Sequence, residues 1–220
     1  MKFSNVLFFA SMVMAAPTMY EKPQLDTRQT TVIGTINNIV NTLTNTTATN
    51  IQNINTAVAA LQNNVDATVV VHLQGVIRAN LKAIAIALQE ATTDITAATV
   101  DAVAAVGGDV NKLTASQLAQ LKAAVDAATV AIGNISASVS LVVTGVTPAV
   151  AKFLKSETTA VTNAIRPFIE PIFTFVNDLR NAGASASVVV TGLTGILSLL
   201  LPIAQVVLAN LGLDQLVLPV

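Results

Sequence analysis

Cysteine is absent from the 220 residues, so disulfides, thiolate nucleophiles and sulfur-ligated metals contribute nothing to fold or chemistry. Stability must then come from packing alone. Tryptophan is also missing, aromatic residues make up 4% of the chain and charged residues 10%. Ordinary globular chains are about 25% charged, so this exterior cannot be built mainly of ion pairs. Asn, Thr, Ser, Gln and Ala take that place and give a polar but nearly uncharged surface. The formal net charge of −1 argues against nucleic acid, whose phosphates require clustered Lys and Arg.

Material for catalysis is equally scarce, because acid–base and nucleophilic chemistry needs titratable groups brought together. The one histidine, His72, stands among Val69, Val70, Val71 and Leu73 and reads as a structural residue on a helix. A zinc site would have to pair it with carboxylates alone. No second histidine can activate a Ser or Thr, and no Gly-x-Ser-x-Gly elbow occurs. Glu90, Asp94 and Asp101 share one helical stripe by their spacing, which a solvated face explains. Gly107-Gly108 is followed by no Gly-Lys-Ser/Thr and reads as a helix terminator. The expectation is a noncatalytic protein with no cofactor and no metal.

What is present begins with Met1 to Ala16, where Lys2, the apolar run Phe3–Val13 and the small exit residues Ala15 and Ala16 spell a secretory signal peptide. Residues 17–29, with Pro17, Pro23 and Arg28, fit either a propeptide or a flexible arm. Two sequons, Asn45-Thr46-Thr47 and Asn134-Ile135-Ser136, agree with glycosylation at Asn45 and Asn134 on a secretory route.

From residue 30 to 182 apolar residues recur at three- and four-residue steps, the mark of one helix face. Ile33, Ile36, Val40, Leu43, Thr47, Ile51, Ile54, Val58, Leu61 and Val65 form the first set, with Asn45 on the opposite side. Asn63, Asn64 and Asp66 mark a turn and a new helix start. The second set runs through Leu73, Ile77, Leu81, Ile84, Leu88 and Ala91, with a break expected at Thr92-Thr93-Asp94 before Val100, Val103 and Val106. Thr114-Ala115-Ser116-Gln117 is a capping box opening a third helix through Leu118, Leu121, Val125, Ala128, Ile132, Ile135, Val139 and Val142. Gly145 and Thr147-Pro148 end it and begin a fourth, whose apolar face takes in Phe153, Leu154, Val161, Ile165, Phe168, Ile172, Phe175, Val176 and Leu179. Pro167 and Pro171 inside that pattern predict a kink or short break.

Residues 183–220 form an apolar tail in which Val188 to Leu213 is long enough to span a bilayer. Thr191, Thr194, Gln205 and Asn210 fit a core helix packed on the bundle; an anchor signal and a true membrane contact are the other readings. The fold class is therefore all-α, a compact antiparallel bundle of about five amphipathic helices. Arg78 and Lys82, one turn apart beside Ile77 and Leu81, read either as surface charges with buried stems or as a pocket mouth holding a fatty-acid carboxylate.

Leu113-Thr114-Ala115-Ser116-Gln117-Leu118, continuing to Leu121 and Val125 after an Ala-rich helix and a Gly turn, carries a resemblance. Over Thr30 to about Asn181 the layout resembles the hydrophobic surface binding proteins and antigenic cell-wall galactomannoproteins secreted by filamentous fungi. The resemblance implies a signal peptide, a helical domain without catalytic residues, and either fatty acids held in a central apolar tunnel or adsorption to apolar solids. The expected function is a secreted or cell-wall-associated protein that binds lipid or apolar surfaces, with cell-wall polysaccharide as a further partner. Alternatives are a glycosylated structural wall protein without ligand and a membrane-active, effector-like protein.

Overall fold

A computed structural model describes residues 32–63, 66–106, 115–182 and 194–195. The signal peptide, the arm, the capping threonine Thr114 and nearly all of the tail lie outside these residues. Four long helices carry the described chain: α1 (Val32–Gln62), α2 (Ala67–Val106), α3 (Ala115–Thr144) and α4 (Pro148–Ala182). There is no strand among the described residues. A fifth helix would fall on the tail, of which only Thr194 and Gly195 are described, both helical.

The three-four pattern becomes a core because each helix turns that stripe inward. Ile36, Leu43, Ile54, Ile77, Leu81, Leu88, Leu121, Ile132 and Phe168 lose essentially all contact with water, each such burial contributing about 1.5–3 kcal/mol. α1 packs on α2 and on α3, α2 packs on α4, and α3 meets α4 less extensively. Around the core the order is thus α1, α2, α4, α3.

Strand-like residues survive in these helices because their polar groups find partners along the same helix. The hydroxyls of Thr44, Thr47, Thr92 and Thr96 donate to the carbonyls of Val40, Leu43, Leu88 and Thr92, all within 2.9 Å, which satisfies a group that otherwise competes with the helix. This is why Thr92-Thr93-Asp94 is not a break: α2 runs through it unbroken. α4 likewise stays helical through Pro167 and Pro171, so of the expected kink or short break there is no break.

The ends of the helices obey their local chemistry. Asp66 Oδ1 accepts from the backbone N–H of Thr68 at 2.8 Å and of Val69 at 3.2 Å, an N-cap for α2. At the far end of α3, Gly145 N–H donates to the Leu141 carbonyl at 2.7 Å, and a Cβ at Gly145 would stand 2.6 Å from that same oxygen. Pro148 opens α4, where a first-turn proline gives up no helical bond.

Consecutive helices are antiparallel, but the other packed pairs are not. Gln62 Nε2 donates to the Gly145 carbonyl at 3.0 Å and Ser138 Oγ to Asn55 Oδ1 at 3.4 Å, both pairs 83 residues apart. A constant offset means that α1 and α3 run parallel. α2 and α4 do the same, since Arg78 meets Glu157 near their starts while Gln89 to Thr93 meet Ala160 to Pro167 further along. An antiparallel bundle is therefore correct along the chain and incorrect across it.

Candidate functional site

Arg78 sits at the edge of α2 that borders α4, and Lys82, one turn on, is on the exposed side of the same helix. Arg78 Nε donates to Glu157 Oε1 of α4 at 2.7 Å, and its guanidinium carbon lies 5.4 Å from the centre of the Phe153 ring. The Glu157 side chain is 3% exposed and that of Arg78 45%. Burying a lone carboxylate is costly, so Glu157 holds Arg78 against the bundle. Its second oxygen, Oε2, is buried without a protein partner. Lys82 is exposed, and it makes no ion pair among the described residues.

The groove that α2 and α4 enclose begins past these cations. It has a volume of about 490 Å3 and is lined by Gln89, Thr92, Thr93, Ala160, Asn163, Ala164 and Pro167. Arg78 and Lys82 therefore do not stand at its mouth. Thr92 and Thr93 have already donated their hydroxyls to the Leu88 and Gln89 carbonyls, and Pro167 has no N–H to offer the Asn163 carbonyl. The lining is uncharged, with amides at the rim and alanines on the floor. The side chains of the four helices meet in one apolar core, and this groove lies between α2 and α4 beside it.

Two apolar residues placed in the core by their spacing are outside it. Val100 is 66% exposed, and Phe153 is 47% exposed beneath the Arg78 guanidinium. Val71, at 67%, and Ile86 are exposed as well. Steps of fifteen and fourteen residues keep Val71, Ile86 and Val100 within about 60° of one another at 100° per residue. Gly75, Arg78, Lys82, Gln89 and Thr93, all exposed, fall in the same arc. Sequence reasoning missed this second, outward periodicity because it follows α2 on the side away from the stronger inward one.

The remaining candidates are scattered. His72 and Glu90 are exposed and Asp94 is half-buried, and no three His, Cys, Asp or Glu residues form a metal-holding group among the described residues. Asn45 and Asn134 are exposed on α1 and α3, with room for a glycan. Their sequon partners Thr47 and Ser136 are buried. By length and composition α2 (Ala67–Val100) and α3 (Leu118–Thr144) could each cross a membrane, a test that bundle-core helices also pass. No family model, curated protein or solved structure matches this chain.

Proposed function

We propose that this is a secreted, noncatalytic protein of the cell surface or cell wall that attaches to lipid or other apolar surfaces through the outer face of α2. The observation that supports the reading is the exposed stripe of Val71, Ile86 and Val100 on a helix whose opposite side fills the core. Contact with an apolar phase removes this area from water at a gain of about 25 cal/mol per Å2. The charges on the face are Arg78 and Lys82, whose long stems can lie along an apolar surface while their charged ends stay hydrated.

The test is adsorption of the full chain to octyl-coated beads, comparing wild type with the double variant Ile86→Glu, Val100→Glu. Both positions are exposed, so the variant is expected to keep its helical content and melting temperature and to lose most of its adsorption. Undiminished adsorption would remove α2 from the reading.

In its fatty-acid form the reading predicts that native mass spectrometry of protein from its own host, followed by solvent extraction, releases an acyl chain in near-stoichiometric amount. The exposed sequon residues Asn45 and Asn134 support a second reading, a wall protein glycosylated at both and without ligand. That reading predicts an empty protein that neither takes up fatty acid nor adsorbs to the beads.

A further inference from the structure

We infer that the adjoining N-terminal halves of α2 and α4 form a docking surface for an anionic phospholipid bilayer. The inference rests on the apolar-surface reading above and names the surface involved. Parallel packing sets Arg78 and Lys82 of α2 at the same end of the bundle as Lys152 and Lys155 of α4, all exposed. α1 contains no charged residue, and α3 contains only the Lys122–Asp126 pair within its described side chains. On α2 and α4 the exposed acids begin at Glu90 and Glu170. The acids at the basic end are Glu157, which is buried, and Asp66, which caps α2 a dozen residues before Arg78, about 18 Å along the helix. His72, exposed on the same part of α2, lies about 120° round the helix from Arg78 at 100° per residue. A chain with net charge −1 thus carries four cations at one end.

Arg78 and Lys82 share the exposed arc of Val71 on α2, and Phe153 stands beneath the Arg78 guanidinium. Lys152 is the α4 cation nearer to Phe153, with Lys155 about 160° round the helix from it at 100° per residue. Basic residues beside a protruding aromatic and an aliphatic side chain match an interface in which the rings and methyls enter the headgroup layer while the cations meet phosphate. Arg78 is positioned for this. Glu157 takes its Nε and Phe153 supports the guanidinium plane, which leaves both terminal nitrogens without a protein acceptor among the described residues and free for a bidentate phosphate contact. The buried Glu157 therefore sets the orientation of a cation that binds elsewhere.

The experiment is flotation of the full chain with vesicles of phosphatidylcholine alone and of phosphatidylcholine with three parts in ten phosphatidylglycerol, at low and high salt. A cation at an anionic surface contributes about fivefold in partitioning. The mixed vesicles are expected to bind at least tenfold better than the neutral ones, with the difference lost at high salt. Lys82→Glu with Lys152→Glu reverses two exposed charges and is expected to lower binding to mixed vesicles by about 25-fold or more with an unchanged melting temperature. Lys122→Gln, on α3, is expected to leave it unaltered. Millimolar inorganic phosphate does not compete if the surface recognises a bilayer; displacement by phosphate would overturn the bilayer assignment. Equal binding to both vesicle types, or a double variant that binds like wild type, would overturn it as well. Octyl-bead adsorption separates the two levels: capture by beads without preference for anionic vesicles sinks this inference alone, and failure on both sinks the apolar-surface reading with it.

Discussion

Glu157 is the single charged side chain in the core of the described chain, and its partner Arg78 reaches water. The two are unequal as a result. Arg78→Leu strands a buried carboxylate and is expected to destabilise the fold by about 3 kcal/mol in urea denaturation. Glu157→Leu releases a guanidinium that can be hydrated and should cost clearly less. Replacing both should recover most of the loss, and additive losses in the cycle would show that the pair is not coupled. Of this arrangement the sequence reveals Arg78, by its spacing to Lys82, but not Glu157, which lies 79 residues away. Phe153 shows the same limit. It and Leu154 are adjacent apolar residues, and 100° of helix rotation lets only one of them face the centre; Leu154 does, fully buried. The chain's own pattern favours Leu154, which lies within about 40° of Val161, Ile165 and Phe168 at 100° per residue, while Phe153 lies about 60–120° from them. What the pattern leaves out is the Arg78 guanidinium that covers Phe153.

At the scale of the element, the helices were legible and their interruptions were not. A three-four pattern depends on one helix and its own core face, so the buried residues of α3 from Leu121 to Val142 follow it closely. Breaks are different, since tertiary packing can hold a helix through a residue that would end it in isolation. Pro167 is exposed, so the Asn163 carbonyl it leaves without a donor can be hydrated, and α4 continues. Pro167→Ala restores that donor and removes the ring clash; a gain of about 1 kcal/mol or more is expected as a raised melting temperature, and a lowered one would contradict this account. Gly145 behaves oppositely. A Cβ there would meet the Leu141 backbone oxygen at 2.6 Å and Val58 Cγ1 at 3.1 Å, and the Gln62 side chain already fixes the Gly145 carbonyl. Gly145→Ala must move the turn between α3 and α4, at an expected cost of about 1–3 kcal/mol in denaturant unfolding. Which helices neighbour one another was beyond the sequence, because the order α1, α2, α4, α3 depends on contacts between helices rather than on any pattern within one.

For the whole molecule, that order has a consequence for how the surface is divided. α2 and α3 occupy diagonal positions, and both turn apolar residues outward: Val71, Ile86 and Val100 on α2, and Ala119, Ala123, Val130 and Ala137 on α3. α1 and α4 present Asn, Thr and charged residues between them. A bundle with two opposed apolar edges should bridge two surfaces, whereas attachment by one face requires the other edge to be covered. Asn134 lies within the α3 stripe, close in angle to Val130 and Ala123 at 100° per residue, and it is exposed. If the surface-attaching protein also carries glycans at its sequons, one at Asn134 would shield the α3 edge and leave α2 as the attachment face, while one at Asn45 would extend from the polar α1. Asn134→Gln is therefore expected to keep the melting temperature but to aggregate octyl-coated beads or vesicles, seen as a rise in turbidity with protein concentration, and Asn45→Gln to do neither. Enzymatic removal of the glycans should reproduce the Asn134→Gln behaviour. If wild type and Asn134→Gln bridge beads equally, the α3 edge takes no part in attachment, and the exposed apolar residues there are isolated side chains of the ordinary kind.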